Sequence, residues 1–119
     1  MEDKVNLAEK LASFSERFRP KIVGYLNDYK LEVVKAQGEF VWHSHEETDD
    51  FFLVLQGQLT IQLRDRDVEL SPGELFIVPR GVEHRPRAEK EAHVLLIEPA
   101  GTVNTGGVAS ELTAQEEHI

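Results

Sequence analysis

Gly38–Gly57, GEFVWHSHEETDDFFLVLQG, and Pro72–His84, PGELFIVPRGVEH, decide how this chain is read. The region they bound holds three of the five histidines. His43 and His45 are two apart, and successive side chains on an extended strand point to opposite faces, so both imidazoles point the same way. Carboxylates follow at Glu46, Glu47, Asp49 and Asp50, and a third imidazole arrives at His84. Three imidazoles and a carboxylate suit Fe, Mn, Ni, Zn or Cu and suit the all-oxygen shells of Ca or Mg poorly. There is no cysteine, so a metal must be held by nitrogen and oxygen.

Which carboxylate joins the histidines depends on the backbone. A continuous strand would put Glu47 on the histidine face and Asp50 on the other. Glu46–Asp49 is a polar, turn-like cluster, however, so the chain is expected to bend there and Asp50 to open the next strand, sharing a face with Phe52 and Val54. Pro79-Arg80-Gly81 reads as a rigid turn that aims His84 back toward the other histidines.

Outward from this region the pattern is short strands and turn signals. KIVGYLNDYKLEVVKAQGEF (21–40) reads as two strands joined at Asn27-Asp28, and FFLVL, LTIQL, VEL, LFIVP and HVLLIEP follow at short intervals. Many short strands with frequent turns predict an all-β sandwich or barrel. In LTIQL, Leu59, Ile61 and Leu63 alternate with Thr60, Gln62 and Arg64, so one face is wet. Phe51–Leu55 is apolar on both faces, and its second face needs a cover: a helix, a sheet or another subunit.

Leu7, Leu11, Phe14 and Phe18 form one stripe at helical spacing, with Asn6 and Glu9 as a capping pair and Pro20 as a stop. A helix over Asn6–Phe18 packed on the sheet is expected. The chain thus divides into a helix at 1–20, a barrel at 21–99 and, after Pro99, a Gly/Thr/Asn/Ser-rich arm at 100–119. Trp42 should face away from the histidines, and Arg85 and Arg87 should lie on the outer face. His93 and His118 read as structural or solvated.

At 119 residues with a net charge of −9, the chain suits one domain and argues against nucleic acid or an anionic membrane as partner. MEDKVNLAEKLASFSERFRP has no apolar segment of a secretory signal, and the longest apolar run is too short to span a bilayer, so a soluble cytoplasmic protein is expected.

These residues resemble the two motifs of the cupin superfamily. The first is Gly, His-x-His, a carboxylate and Gly, here Gly38, His43, His45, Asp50 and Gly57. The second is Gly, Pro-x-Gly and His, here Gly73, Pro79, Gly81 and His84. Asp50 stands where the family usually has Glu, and Ala88 where the second motif has Asn. The resemblance implies a double-stranded β-helix, or jelly-roll barrel, with His43, His45, Asp50 and His84 as ligands of one divalent transition ion. Glu47 is the rival ligand and the nearest spare carboxylate for proton transfer.

The likeness extends to the metal-binding barrel of sugar-phosphate isomerases, and implies isomerase- or epimerase-type or dioxygenase-type chemistry on a carbonyl or enol substrate. The alternative is a non-catalytic ligand-binding or metal-sensing domain. Cupins of this kind commonly pair through a sheet face, so a homodimer is expected, with the 100–119 arm across the partner.

Overall fold

The computed structural model describes residues 3–108 and 110–119. One helix, α1 (Leu7–Ala12), precedes seven strands: β1 (Lys21–Leu26), β2 (Tyr29–Glu39), β3 (Asp50–Gln56), β4 (Leu59–Leu63), β5 (Asp67–Leu70), β6 (Leu75–Val78) and β7 (His84–Pro99). All pairings between these strands are antiparallel. The strands run β1-β2-β7-β3-β6, with β4 on β7 and β5 on β4. The expected all-β barrel with one short helix is the observed architecture.

The 16 residues of β7 close it. Their first half pairs with β4, from Leu63↔His84 to Thr60↔Arg87, and their second half with β3, from Phe51↔Ile97 to Val54↔Val94. β2 follows most of that length, from Tyr29↔Pro99 to Glu39↔Arg87. Register breaks at Ala36/Gly38 in β2 and Val54/Gln56 in β3 fall opposite the middle of β7. Such bulges bend a strand, and here they let one strand serve both halves of the barrel.

The sequence places a strand only from His93. The polar run HRPRAEKEA hides its first half, where Arg85 and Arg87 point outward and His84, Pro86 and Ala88 are buried. Pro86 lacks an N–H, but its carbonyl accepts from Phe40 N–H at 3.0 Å, so the ladder keeps that bond.

Inward side chains of β2, β3, β4 and β7 form the main core: Val34, Ala36, Phe52, Val54, Leu59, Ile61, Val94 and Leu96. A second cluster on the outer sheet face joins Val23 and Val33 to Leu11, with Leu7, Phe14, Leu55, Leu95 and Ile119 around them. The apolar outer row of β3 is therefore covered at one end by α1 and the chain's last residue. At the other end, Leu53 and Phe51 are half-buried beside Leu75 and Ile77 of β6, which are 53% and 47% exposed.

The helix is shorter than the stripe implies. Asn6 caps it by accepting from Glu9 N–H at 3.0 Å, but Ser13 ends it, its hydroxyl donating to Lys10 O at 2.6 Å. Phe18 then turns through a left-handed backbone (φ 56) and joins the barrel core against Phe40, with ring centroids 5.1 Å apart.

The arm is well seated. Ile22 N–H donates to Glu117 O at 2.7 Å and Ile119 N–H to Ile22 O at 3.0 Å, while Lys21 pairs with Glu117 at 2.8 Å. Its described residues pack on the chain's own barrel. No described helix is long and apolar enough to cross a membrane.

Candidate metal centre

His43 and His84 face each other across a single antiparallel bridge. His43 N–H donates to His84 O at 3.0 Å and His84 N–H to His43 O at 2.9 Å. Each imidazole is then fixed by its own backbone, Nδ1 of His43 on Val41 O and Nδ1 of His84 on Val82 O, both at 2.9 Å. A carbonyl only accepts, so Nδ1 carries the proton and Nε2 is left to point inward. Such a bond to the far ring nitrogen is what orients metal-bound histidines.

The turn that delivers His84 is built as its residues imply. Val82 N–H donates to Pro79 O at 3.1 Å, and Gly81 occupies the left-handed position (φ 77) that a type II turn reserves for glycine. Gly81 N–H donates to His45 O at 2.9 Å, and Asp49 accepts from Arg80 N–H at 2.9 Å. The turn is thus stitched to the bend at Glu46–Thr48. That bend ends at Asp50, the first residue of β3, whose carboxylate enters the barrel.

Asp50 Oδ2 stands 2.8 Å from His84 Nε2 and 3.3 Å from His45 Nε2. One ligand atom from each of His43, His45, Asp50 and His84 falls within 4.8 Å of all the others, and all four residues are buried. Ligands on one ion at roughly 2.1 Å are up to ~4.2 Å apart, so a small contraction closes the set. Both nitrogens of His84 face acceptors, Val82 O and Asp50 Oδ2, although a neutral ring carries one proton. A cation held by these residues would resolve that conflict. The donor set therefore fits a single divalent transition ion.

The electrostatics prepare the same state. Burial, reinforced by neighbouring His84, lowers His43 to about 4, which keeps it neutral. Burial opposes ionisation of Asp50, but the His45 and His84 imidazoles beside it outweigh that and hold the carboxyl at about 2.

Glu47 is exposed and lies outside the cluster, on the wall of an outer chamber at the barrel mouth that also touches His45, Thr48 and the Pro99–Val103 stretch of the chain. Trp42 faces away, with the Arg64 guanidinium 3.7 Å over its ring. Arg85 binds Gln62 and Glu39, and His93 pairs with Glu91. His118 meets the Tyr25 hydroxyl.

The inner cavity, of about 50 Å³, is walled by Phe40, Phe52, Leu59, Val94 and Leu96, with His43, His45 and Asp50 at one end. Glu98 also lines it. Sequence reasoning passed over Glu98, together with the buried Lys30 and Glu32. Their signal was present: each sits in period-two step with inward apolar residues, Lys30 and Glu32 with Val34, and Glu98 with Leu96 and Val94.

The family profile of the cupin domain matches residues 30–98. The chain is a cupin. It is 30% identical over 101 residues to the Bacillus subtilis (strain 168) protein YdbB, covering 76% of this chain and 83% of that one. A cupin-2 domain protein from Shewanella frigidimarina NCIMB 400 superposes with a TM-score of 0.79 at 41% identity, over 80% of this cupin and 93% of that chain. This cupin is also 28% identical over 80 residues to 3-hydroxyanthranilate 3,4-dioxygenase of Brucella anthropi. That match covers 61% of this chain and 44% of the dioxygenase.

Proposed function

We propose that this cupin is a metal-dependent enzyme acting on a small molecule. His43, His45, Asp50 and His84 would hold one divalent transition ion, and the observation that carries the reading is their convergence as four buried donors. When bound, such an ion supplies Lewis acidity to a carbonyl or enol oxygen, or a site for dioxygen beside an electron-rich substrate.

The chain's own residues do the rest. Val41 and Val82 carbonyls fix the tautomers of His43 and His84. The apolar wall would limit water at the cluster, and Glu47, which lines the outer chamber together with Glu46, would be a carboxylate for proton exchange there. Of the two chemistries the motifs imply, dioxygenation is favoured by the likeness to 3-hydroxyanthranilate 3,4-dioxygenase; an isomerase has no comparable support. A homodimer closing over Leu75 and Ile77 is part of the same proposal.

One observation favours a second reading, a non-catalytic metal- or ligand-sensing domain. The inner cavity is about a third of the ~150 Å³ needed to hold benzene, so a ring-sized substrate reaches the cluster only if the mouth opens. Oxygen uptake by metal-loaded protein, screened over hydroxylated aromatic acids and enolisable ketones, separates the two. Uptake with any substrate, lost in His84→Ala, supports the enzyme. Substrate binding without turnover by any loaded metal overturns it in favour of the sensor.

A further inference from the structure

Two chambers meet at His45, which lines both. The inner cavity, about 50 Å³, has His43, His45 and Asp50 at one end. The outer chamber, about 510 Å³, opens at the barrel mouth between residues 45–48 and the 99–107 stretch. Size divides a ligand between them. The inner cavity admits water or one small oxygen-bearing group, so anything larger keeps its body in the outer chamber. The side chains of the outer chamber therefore select the ligand's class. Its charged side chains, Glu46 and Glu47, are both acidic and both exposed.

The hydroxyls of that chamber spend their protons within the chain. Thr48 donates to Asp49 O at 3.1 Å and Thr102 to Pro99 O at 2.7 Å. Glu46 Oε1 accepts from the Ser44 hydroxyl at 2.8 Å. Carboxylates only accept, so Glu46 and Glu47 call for a ligand that donates. Among the described residues, neither chamber is lined by a lysine or an arginine. Lys30, paired with the cavity residue Glu98, is already saturated. Its ammonium donates to Thr102 O at 3.0 Å and lies 3.5 Å from Glu32, 3.5 Å from Glu98 and 3.7 Å from Glu116. Arg85 is held by Glu39 and Gln62, and Arg64 by Glu83. A ligand's carboxylate or phosphate in the outer chamber would thus meet two carboxylates and no counter-ion, on a chain of net charge −9.

We propose that Glu46 and Glu47 set the charge specificity of this site, whose ligand is an uncharged hydroxy compound and not a carboxylate or phosphate. This rests on reading His43, His45, Asp50 and His84 as a metal centre, and it narrows what that centre acts on. The ligand's hydroxyl or carbonyl end enters the inner cavity, and donors on its body meet the two carboxylates at the mouth. Sites built for carboxylates or phosphates hold them with arginine or lysine in charge-assisted hydrogen bonds. Here only a bound ion would attract an anion, and Asp50 already offsets one of its two charges. The mouth carboxylates act through water, so each discriminates modestly and salt screens the effect.

The test uses an isosteric pair, 4-hydroxybenzamide and 4-hydroxybenzoate, titrated by calorimetry into Zn(II)-loaded protein at neutral pH. The two share a phenol and differ in the charge of the group left in the outer chamber. Zinc should load at about one per chain in wild type and in the double variant Glu46→Gln/Glu47→Gln alike. Wild type at low salt should bind the amide about tenfold or more tightly than the benzoate. In the double variant that gap should shrink about fivefold. A salt series on wild type gives a second readout should the double variant not fold: the gap should narrow several-fold between about 20 mM and about 500 mM salt. Benzoate bound as tightly as the amide, a gap that neither salt nor the double variant moves, or binding of neither compound overturns the proposal. Wild type that takes up no zinc overturns the metal reading first, and this one with it.

Discussion

His43 shows at the scale of one residue how the site is prepared and what that costs. Its imidazole is held neutral by burial, with a pKa of about 4 against an ordinary value of 6.5. Between those values the unfolded chain binds a proton that the folded metal-free protein refuses, so stability rises with pH across that window and falls as pH drops from 6.5 to 4. The full effect is on the order of 3 kcal/mol. Urea melts of chelator-treated protein at pH 7 and pH 4.5 should differ in this direction, and His43→Gln should flatten the slope; a pH-independent midpoint in wild type contradicts it. Asp50 acts further down. Its carboxyl, at about 2 against 3.8, contributes stability that is complete above 3.8 and lost as pH falls toward 2. Metal affinity should weaken as pH falls toward about 4, where protons compete for the His43 imidazole.

Gly106 carries the prediction at the scale of an element. A Cβ there would lie 2.1 Å from Ser44 O and 3.4 Å from the His43 ring, and the backbone is left-handed (φ 62). Only glycine lets the arm pass this close to the His43–His45 segment. Gly106→Ala should therefore lift the arm locally, costing about 1–3 kcal/mol, and should speed metal loss to EDTA several-fold. An unchanged EDTA rate would mean that the arm does not guard the site.

Elements also separate what the sequence shows from what it hides. The β1–β2 hairpin at Asn27-Asp28, the bend before Asp50 and the Pro79–Val82 turn are legible because turn chemistry is local. The extent of β7 is not, because its first half is polar wherever it faces out and carries a proline whose carbonyl is used instead. Helix length is misread because the apolar stripe continues past Ser13, where Phe14 and Phe18 pack on the barrel from irregular backbone. Among site residues, the three histidines are legible from spacing, and placing Asp50 needs only the bend. Lys30, Glu32 and Glu98 stay hidden because a buried charge is tolerated only through partners far away in the chain.

The whole molecule leaves an apolar surface uncovered. Leu75 and Ile77 are exposed beside half-buried Phe51 and Leu53, and α1 and Ile119 cover only the far end of that sheet face. Each large side chain there forgoes part of the roughly 1.5–3 kcal/mol that full burial would supply. An isologous dimer covers the row with its own copy. Light scattering should give roughly 27 kDa, twice the 13.5 kDa chain. Ile77→Lys, at an exposed position, should halve that mass while leaving the fold intact by circular dichroism. A wild-type monomer at micromolar concentration contradicts the dimer.

Metal analysis of four proteins tests the centre most directly: wild type, His84→Ala, Asp50→Ala and Glu47→Ala, each loaded with a divalent transition ion, desalted and measured for bound metal. The cluster of His43, His45, Asp50 and His84 predicts about one ion per chain in wild type and Glu47→Ala, and less than about a tenth of that in His84→Ala and Asp50→Ala. Full occupancy in His84→Ala, or loss in Glu47→Ala with Asp50→Ala intact, would contradict it.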